Sequence, residues 1–423
     1  MSPTDLAKLV KTLAQSARAL ASAGDVVSAE QVYRRILEAA PYHAPSLSFL
    51  ANQAYALGDA EQALALIDKA IQGNPRAPLL FQNRALINKY LGDLGAAMRD
   101  LDDALRLQPV YPVALLHKAS LQKDTGDRDG AVRTALMAWQ QLPAPETMAN
   151  DATIPREIRE LVMECANLLR STQLILIDSE LEPVMERFGK ESLQRLFAGV
   201  AAYAGLSAQT ESSRPQRGGV HIPGLTYSPI LPGGPHPWSA ELAAALPTLH
   251  TEADRILTPS TPDNQTAEQL AAADIGGMLR YTLQPTSSER DKAIVSLLGT
   301  APLTHEPEDE IALLLLPPGR YILRTGQGNN WKLTSYVPLD AQSKATLMID
   351  TAAVDLVTGT GVLASQLSDH ALNVEGHRPL MLLAFPIWHP ELSEAEVAGI
   401  PAVLRGIKRF HGKYQQAQTA LTR

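Results

Sequence analysis

The stretch GDAEQALALIDKAIQGNP, which runs from Gly58 to Pro75, contains the three markers that decide the first third of the fold. It opens with Gly58 and Asp59, places a small residue at Ala63 and closes with Pro75. Glycine permits a sharp turn, aspartate can cap the helix that follows, and proline ends a helix because it has no N–H. The stretch therefore predicts a turn, one helix and a stop, with Ala63 where a second helix packs closely.

The same three markers return every 34 residues in this part of the chain. Each unit has a Gly-Asp pair, an alanine and a proline at the same spacing, starting with Gly24, Ala29 and Pro41 and then continuing at Gly58, Gly92 and Gly126. A 34-residue period with two helices in each unit resembles the tetratricopeptide repeat. The resemblance covers about residues 7–143 and predicts four repeats, stacked as an all-α solenoid.

Polar side chains on the first helix of each predicted pair are candidates for partner binding, because stacked helix pairs form a concave surface that commonly holds a peptide. The candidates are Asn52, Asn83, Arg84, Asn88, Lys118 and Gln122. On this interpretation the partner is a peptide or a protein. Three alternatives stay open: these side chains are simply solvated, or the repeats form a dimer surface, or they dock onto the C-terminal part of the chain.

Composition and charge narrow the class of protein. The chain has 423 residues, enough for two or three domains, and 45% of them are hydrophobic. Its net charge of -8 and sequence pI near 5.7 give no basic footprint for nucleic acid. The first residues, MSPTDLAKLVKTLAQ, lack the apolar core of a signal peptide, and no run of about 18 apolar residues could cross a membrane. We therefore expect a soluble cytoplasmic protein with neither nucleic acid nor a membrane as a partner.

The region from 155 to 219 is expected to hold helices and then a linker. Two segments within 155–204 carry apolar residues at helical spacing, and one of them is expected to cap the open end of the repeat stack. Cys165 lies in the first segment and is expected to pack in a core, since a single thiol supports neither a disulfide nor a cysteine-rich zinc site. Residues 206–219, LSAQTESSRPQRGG, are polar and contain Gly, Ser and Pro, which predicts a domain boundary.

From residue 220 onward, short apolar runs replace the helical spacing. Turn residues separate seven runs, which predict strands at 311–317, 320–325, 332–339, 345–350, 353–357, 361–365 and 379–385. Short strands at this spacing favour a jelly-roll or a related double-sheet barrel. Helices are expected from Ser239, acting as N-cap, and from Ser393 to about Phe410. The predicted architecture is α+β and multidomain, with repeats over 1–154, capping helices and linker over 155–219, and the barrel with its C-terminal helix over 220–423.

Three segments of this half resemble the aspartyl/asparaginyl β-hydroxylase family, over roughly residues 220–400. PGLTYSPILPGGPHPWSAELAAALP, starting at Pro223, is similar to the family's opening segment. PPGRYILRTGQGNNWKLTSYVPL, starting at Pro317, is similar to its first metal-binding strand and the strand that follows. SDHALNVEGHRPLMLLAFPIWHPELSEAE, from Ser368 to Glu396, is similar to its second metal-binding strand and terminal motif, and IWHPELSEAE is the most specific match.

This resemblance implies a double-stranded β-helix that binds Fe(II) and 2-oxoglutarate. By position, His370 matches the second metal histidine, and Arg378 matches the arginine that holds 2-oxoglutarate, a role that suits a planar guanidinium. Asn329 matches a loop position of the family, and His389 matches the terminal motif, where a structural role is expected. Arg324 stands at the position of the first metal histidine, and a guanidinium cannot ligate a metal.

Two functions follow from this pattern, and the residues leave both open. The first is an Fe(II)/2-oxoglutarate-dependent dioxygenase that hydroxylates a peptide or protein presented by the repeats, with His370 at the iron and Arg378 at the cosubstrate. The second is a catalytically degenerate member that needs no cofactor and acts as a peptide-binding or scaffolding protein. In that case Arg324 and Arg378, facing one cavity, would form a site for a carboxylate or phosphate group.

Overall fold

A computed structural model describes residues 3–206, 219–231, 238–258, 277–284, 286, 288–304, 309–324, 329–340 and 343–421. The chain divides into two compact units. The first, called here the repeat unit, comprises the residues up to Leu176 together with those from Ile407 onward. The second, called the sheet unit, runs from Ile177 to Gly406.

The repeat unit begins with eight helices that pack in four successive pairs. Their bounds are α1 Pro3–Ser22, α2 Val26–Ala39, α3 Ala44–Ala56, α4 Ala60–Gly73, α5 Pro78–Tyr90, α6 Leu94–Leu107, α7 Pro112–Asp124 and α8 Arg128–Gln141. Each pair occupies one period of the sequence repeat. The predicted helical repeat region resembling a tetratricopeptide solenoid is therefore confirmed.

The turn inside each pair has the structure expected from its Gly-Asp sequence. The four glycines have φ between +81° and +85°, a region that residues with a side chain rarely adopt. Each following aspartate accepts a hydrogen bond from the backbone N–H three residues later, and so caps the second helix of its pair. Ala29, Ala63, Ala97 and Ala131 are fully buried, which lets the paired helices approach closely.

Two helices follow the repeats, the short α9 (Pro145–Met148) and the long α10 (Arg156–Phe188). The first part of α10 packs against α8, where the Cys165 thiol lies 3.3 Å from the Ala135 carbonyl oxygen that accepts its hydrogen bond. Burial raises the pKa of Cys165 to about 12. The expected core position of Cys165 is therefore confirmed.

The sheet unit contains two antiparallel sheets, built from short strands. The strand bounds are β1 Ile230–Leu231, β2 Leu279–Thr282, β3 Ala312–Leu316, β4 Gly319–Arg324, β5 Lys332–Pro338, β6 Lys344–Ile349, β7 Ala352–Asp355, β8 Val362–Ser365, β9 His370–Glu375 and β10 Leu380–Trp388. The larger sheet has the order β1-β8-β5-β10-β3-β2, and the smaller has the order β4-β9-β6-β7. An antiparallel sheet domain in the C-terminal half is therefore confirmed, whereas its description as a jelly-roll stays a prediction.

Both faces of the larger sheet are buried, because each face packs against a different hydrophobic cluster and successive side chains of a strand point to opposite faces. Leu313 of β3 and Leu383 of β10 face one cluster, whereas Leu314 and Leu382 face a second cluster that includes residues of the smaller sheet. Burial on both sides explains why these strands are continuous apolar runs in the sequence. Some positions on the second face border a cavity rather than packed side chains.

Within the described residues, four more helices belong wholly or partly to this unit: α11 Gln194–Tyr203, α12 Ser239–Leu257, α13 Glu289–Ser296 and α14 Glu394–Leu421. The predicted cap at Ser239 is wrong, because Ser239 is the first helical residue and Trp238 occupies the cap position without a side-chain capping bond. Trp238 is buried, and its ring meets Phe385 edge-on with centroids 6.0 Å apart. Packing therefore fixes this helix end. Within the described residues, no helix has both the length and the apolar character that a membrane span needs.

The limits of the two units fall inside helices rather than in a polar stretch. Both α10 and α14 contribute residues to each unit, and Phe410 and Tyr414 of α14 share a buried cluster with Cys165. The predicted bound at 154 follows the end of the sequence repeats and the bound at 219 follows composition; most of the predicted linker lies outside the described residues. Contacts between residues set the observed limits of the two units, and the local sequence does not show which residues make these contacts.

Candidate functional site

The six side chains predicted to bind a partner occupy different surroundings in the repeat unit. Asn52 is exposed on α3. The other five make hydrogen bonds or ion pairs within the unit: Asn83, Arg84, Asn88, Lys118 and Gln122. Their part in binding stays a prediction. Because these five side chains already have partners within the unit, other exposed side chains of the first helices are also candidates for partner binding.

Arg84 is the centre of a charged network between helices. Its Nη2 donates to Asp100 at 2.6 Å, and its Nη1 donates to Asp68 at 2.8 Å. Asn88 donates to the other oxygen of the buried Asp100 carboxylate at 2.8 Å. Burial alone would lower the pKa of Arg84, but its hydrogen bonds to Asp100 and Asp68 outweigh burial and raise it. The network joins packed helices, which indicates a structural role.

Two tyrosines on the first helices of neighbouring repeats form an exposed aromatic contact. Tyr55 of α3 and Tyr90 of α5 meet edge to face, with ring centroids 5.5 Å apart, although they are 37% and 62% exposed. Asn52 lies one helical turn before Tyr55 and therefore on the same side of α3. We call Asn52, Tyr55 and Tyr90 the tyrosine patch. Sequence reasoning missed the tyrosines because it considered only polar side chains on these helices.

His370, the predicted metal ligand, is fully buried and bonded within the protein. Its Nε2 lies 2.7 Å from the Ser365 carbonyl oxygen, and its Nδ1 lies 2.9 Å from the Tyr336 hydroxyl. Because a carbonyl only accepts, Nε2 carries a proton and donates it to Ser365; in the neutral ring Nδ1 then accepts from the Tyr336 hydroxyl. Each ring nitrogen therefore has a protein partner.

The other residues expected at the cosubstrate site lie in different places. Arg324 ends β4, and its backbone pairs with His370 after an irregularity in the register; the Arg324 side chain lies outside the described structure. Arg378 is exposed in the turn before β10, where its carbonyl accepts a hydrogen bond from Ser343 at 2.6 Å. Asn329 lines the cavity of the sheet unit, whereas Arg378 is not among the described residues that line it. The smaller sheet thus brings only the Arg324 and His370 backbones together.

The donors around His370 do not fit an iron site. A metal at Nδ1 would have to displace the Tyr336 hydroxyl, and a metal at Nε2 would have to displace the proton donated to Ser365. In the part of the chain that the structure describes, no group of three His, Cys, Asp or Glu side chains could hold a metal ion. The roles of His370 and Arg378 at iron and 2-oxoglutarate stay predictions that these contacts do not support.

The IWHPELSEAE motif, by contrast, has a clear structural explanation. His389 is buried; its Nε2 lies 3.3 Å from the Thr226 carbonyl oxygen, and its Nδ1 accepts from the Glu391 N–H at 3.2 Å. Burial lowers the pKa of His389. Glu391 also accepts a hydrogen bond from the Thr226 N–H at 2.8 Å. These contacts hold the segment before β1 against the end of β10.

The end of the same motif starts helix α14 with a reciprocal cap. The Ser393 hydroxyl accepts from the Glu396 N–H at 3.3 Å, and Glu396 accepts from the Ser393 N–H at 2.9 Å. Arg195 of α11 adds two hydrogen bonds to the Glu396 carboxylate, at 2.8 and 2.6 Å. Burial raises the pKa of Glu396, but the bonds from Arg195 and Ser393 outweigh it and lower the pKa.

A cavity of about 240 Å³ lies on the second face of the larger sheet. Lys332, Thr334 and Tyr336 line it from alternate positions of β5, while Leu314 and Leu323 belong to its apolar wall. An alternating row on one strand necessarily faces one side of a sheet. In the sequence, the only sign of this cavity was the row of polar or partly polar residues at alternate positions of β5. Because both faces of the strand are buried, the sequence did not show which of these faces borders a cavity.

Among the residues that the structure describes, four charged side chains line this cavity as two ion pairs. Lys332 pairs with Asp309, and their side chains are only 10% and 6% exposed. Arg280 pairs with Glu310 where both side chains are more exposed. The cavity therefore offers two positive and two negative groups to whatever enters it.

Neutral polar groups complete the cavity lining. Gln366 donates its amide to the Thr334 hydroxyl at 3.0 Å. The side-chain oxygen of Asn329 is buried, and the described structure contains no hydrogen-bond partner for it. An unpaired buried acceptor is unfavourable unless water or a ligand supplies a donor.

Comparisons with known proteins match only part of the chain. No protein-family model matches it, and no curated protein matches it. An O-GlcNAc transferase mutant of Thermobaculum terrenum is 23% identical over 33% of this chain and 27% of that one, with a TM-score of 0.31. A MamA fragment from Desulfovibrio magneticus is 17% identical over 31% and 75%, with a TM-score of 0.29. The first TPR of Spaghetti (RPAP3), bound to an HSP90 peptide, is 18% identical over 28% and 93%, with a TM-score of 0.26. The match therefore spans about a quarter of the transferase.

Proposed function

We propose that this protein is a scaffold that binds a peptide or protein partner through its helical repeats, with the tyrosine patch as the central contact. The observation that carries the proposal is the exposed edge-to-face pair of Tyr55 and Tyr90. A tyrosine ring offers a large, rigid contact area and loses little side-chain entropy on binding. Tyrosine is also among the residues that contribute most at interface centres.

The surroundings of the patch suit an extended peptide. Asn52 presents an amide, which can donate to and accept from a peptide backbone. Next to Tyr90, Lys89 forms an ion pair with Asp124 at 2.8 Å, and both side chains are about two-fifths exposed. An aromatic centre with polar groups around it is the usual composition of an interface. We therefore expect a partner that packs an apolar side chain against the exposed surface of the two rings.

In this proposal the sheet unit is a recognition or scaffolding domain that works without iron. The hydrogen bonds of His370 and the exposed position of Arg378 support this assignment. The unit would then be a catalytically degenerate double-stranded β-helix, retained for its shape.

The test is peptide display against the full-length protein in a buffer that contains EDTA, followed by calorimetry on the selected peptides. We expect Tyr55→Ala/Tyr90→Ala to weaken binding by about 30-fold or more, because truncating a central interface residue costs about 2 kcal/mol or more.

Tyr42→Ala is the matched control for this test. Tyr42 is another exposed tyrosine of the repeats, at 53%, but it lies in the connection between α2 and α3. The control should bind as the unchanged protein does. A display that selects no peptide, or peptides that bind equally to the double variant, would contradict the proposal.

The competing proposal is an Fe(II)/2-oxoglutarate-dependent hydroxylase with a peptide substrate. It requires His370 to exchange a protein hydrogen bond for a metal, and it requires Arg378 to reach the cosubstrate. Stoichiometric anaerobic Fe(II) binding and turnover of 2-oxoglutarate, both lost in His370→Ala, would establish it. Absence of both activities in the unchanged protein would favour the scaffold.

A further inference from the structure

We infer that the cavity of the sheet unit binds a small α-amino acid with an apolar side chain. Lys332 would hold the ligand's carboxylate, and Asp309 with Asn329 would hold its ammonium group. This inference is independent of peptide binding at the repeats, because it rests on other residues in the other unit.

The first argument is the buried ion pair beside an open volume. Lys332 is 8% exposed and pairs with Asp309, whose side chain is 6% exposed, yet both line the cavity. Withdrawing two charges from water is unfavourable, and well-packed apolar side chains in their place are often as stable or more so. A pair kept at the wall of a cavity can instead offer a cation and an anion to one ligand.

The second argument is the balance of charge around the cavity. Arg280 and Glu310 form a further pair in the lining, so the four charges among the described lining residues sum to zero. A ligand with two negative groups would meet repulsion from Asp309 and Glu310. A zwitterion carries both signs and no net charge, which matches this lining.

The third argument is the set of hydrogen-bonding groups. An ammonium group has three donors, and two acceptors belong to the same lining: the Asp309 carboxylate and the buried oxygen of Asn329, which has no hydrogen-bond partner within the described structure. The Thr334 hydroxyl accepts from Gln366 and so keeps its own proton for a ligand carboxylate. Donors and acceptors are thus present for both ends of an amino acid.

The volume of the cavity and its apolar wall indicate which side chain the ligand carries. Met278, Leu314 and Leu323 give the cavity an apolar side. Its volume of about 240 Å³ lies below the range of about 300–1,000 Å³ that is usual for drug-sized ligands. An aliphatic amino acid of the size of leucine suits both the volume and the wall.

Calorimetry on the full-length protein with four related probes tests this inference. L-leucine has both charges, L-leucinamide lacks the carboxylate, N-acetyl-L-leucine lacks the ammonium group, and isovalerate is the carboxylate alone. We expect L-leucine to bind and each of the other three to bind at least about ten-fold more weakly, because each leaves buried groups unpaired. Equal binding of isovalerate and L-leucine, or no binding of L-leucine, overturns the inference.

Three variants locate the binding. Lys332→Met and Asn329→Leu should each weaken L-leucine binding by about ten-fold or more. Lys344→Met, which removes an exposed lysine of β6, should leave it unchanged. If the near-ultraviolet circular dichroism of Lys332→Met shows that this variant does not fold, L-leucine binding to Asn329→Leu alone tests the site. Undiminished binding in Asn329→Leu overturns the assigned site, and tighter binding of 2-oxoglutarate than of L-leucine overturns the ligand class.

Discussion

The ion pair of Arg84 with Asp100 in the repeat unit and that of Lys332 with Asp309 in the sheet unit are both withdrawn from water, but they have different surroundings. Around Asp100, further side chains from packed helices complete the hydrogen bonds. Around Lys332, one side is open volume. A buried charge with a full set of protein partners stabilises the fold, whereas a buried charge facing a cavity is available to a ligand.

The sequence motif with the strongest family resemblance and the cavity that could bind a ligand lie in different parts of the sheet unit's sequence. The motif that most resembles an enzyme family, around His389 and Glu396, consists of groups bonded to their own chain. The cavity lining includes Asn329, Lys332 and Thr334, which lie in the segment from Pro317 that also resembles the family, but Lys332 and Thr334 were not among the predicted site residues. Resemblance in the sequence therefore marks the contacts that hold segments together at least as strongly as those that bind a ligand.

The largest effect should come from breaking the packed pair in the repeats. Asp100→Ala leaves Arg84 and Asn88 without their main partner, and we expect a loss of about 3–5 kcal/mol in the free energy of unfolding, measured by denaturant and circular dichroism. Asp102→Ala, on the same helix, removes only the more exposed pair with Lys118 and should cost about 1 kcal/mol or less. Equal losses would end the distinction between packed and exposed charge.

A second packed pair, in the sheet unit, should behave like Asp100 with a smaller effect. Glu396→Ala removes one half of the reciprocal cap of α14 and the carboxylate that pairs with Arg195, although Arg195 keeps its hydrogen bond to the Glu391 carbonyl oxygen. We expect a loss of about 2–3 kcal/mol in the free energy of unfolding, since Arg195 is 36% exposed. The folded-state pKa of Glu396 is lowered, so this contribution is present above the unfolded pKa near 4.5 and is lost as pH falls through the folded pKa. Glu394→Ala, an exposed neighbour, should lack both effects.

The cavity pair should respond in the opposite direction. Lys332→Met/Asp309→Leu replaces both charges with apolar groups, and we expect the free energy of unfolding to stay the same or rise by about 1 kcal/mol. The same variant should lose L-leucine binding. A large loss of stability with unchanged binding would show that this pair is structural after all.

A partly buried histidine of the repeat unit, His117, should give a pH effect of about 1 kcal/mol on the free energy of unfolding. Burial, together with the charge of Lys89, lowers the pKa of His117 to about 4. A folded pKa below the unfolded value near 6.5 gives stability that is complete above about pH 6.5 and declines as pH falls toward 4. Between about pH 7 and 5.5, the unchanged protein should lose about 1 kcal/mol more than His117→Gln. Equal slopes in the two proteins would contradict the assignment.

The repeat fold could be predicted because its markers act locally. A glycine in a turn and the aspartate after it need only the next few residues, so Gly58 and Asp59 were sufficient for that turn and cap. The partners of Arg84 could not be read in the same way, since Asp68 and Asp100 each lie 16 residues away on other helices. Lys118 and Asp102 share this separation of 16 residues, so the spacing itself is a usable signal.

The sheet unit could be predicted only in part. The seven apolar runs correspond to strands, but they do not include three further strands of the described structure. Two of these, Ile230–Leu231 and Leu279–Thr282, are short and lie at the edges of the larger sheet, and the third, His370–Glu375, alternates buried with less buried residues instead of forming an apolar run. The surroundings of His370 could not be read at all, since Tyr336 lies 34 residues away on another strand. Which face of a strand borders a cavity depends on packing that a local pattern does not contain.

The affinity of a display-selected peptide for the full-length protein, measured with EDTA and again with Fe(II), tests the central claim most directly. The account predicts the same affinity in both conditions and a loss of about 30-fold or more in Tyr55→Ala/Tyr90→Ala. Binding that needs Fe(II) and disappears in His370→Ala, while Tyr55 and Tyr90 can be replaced without effect, would contradict it.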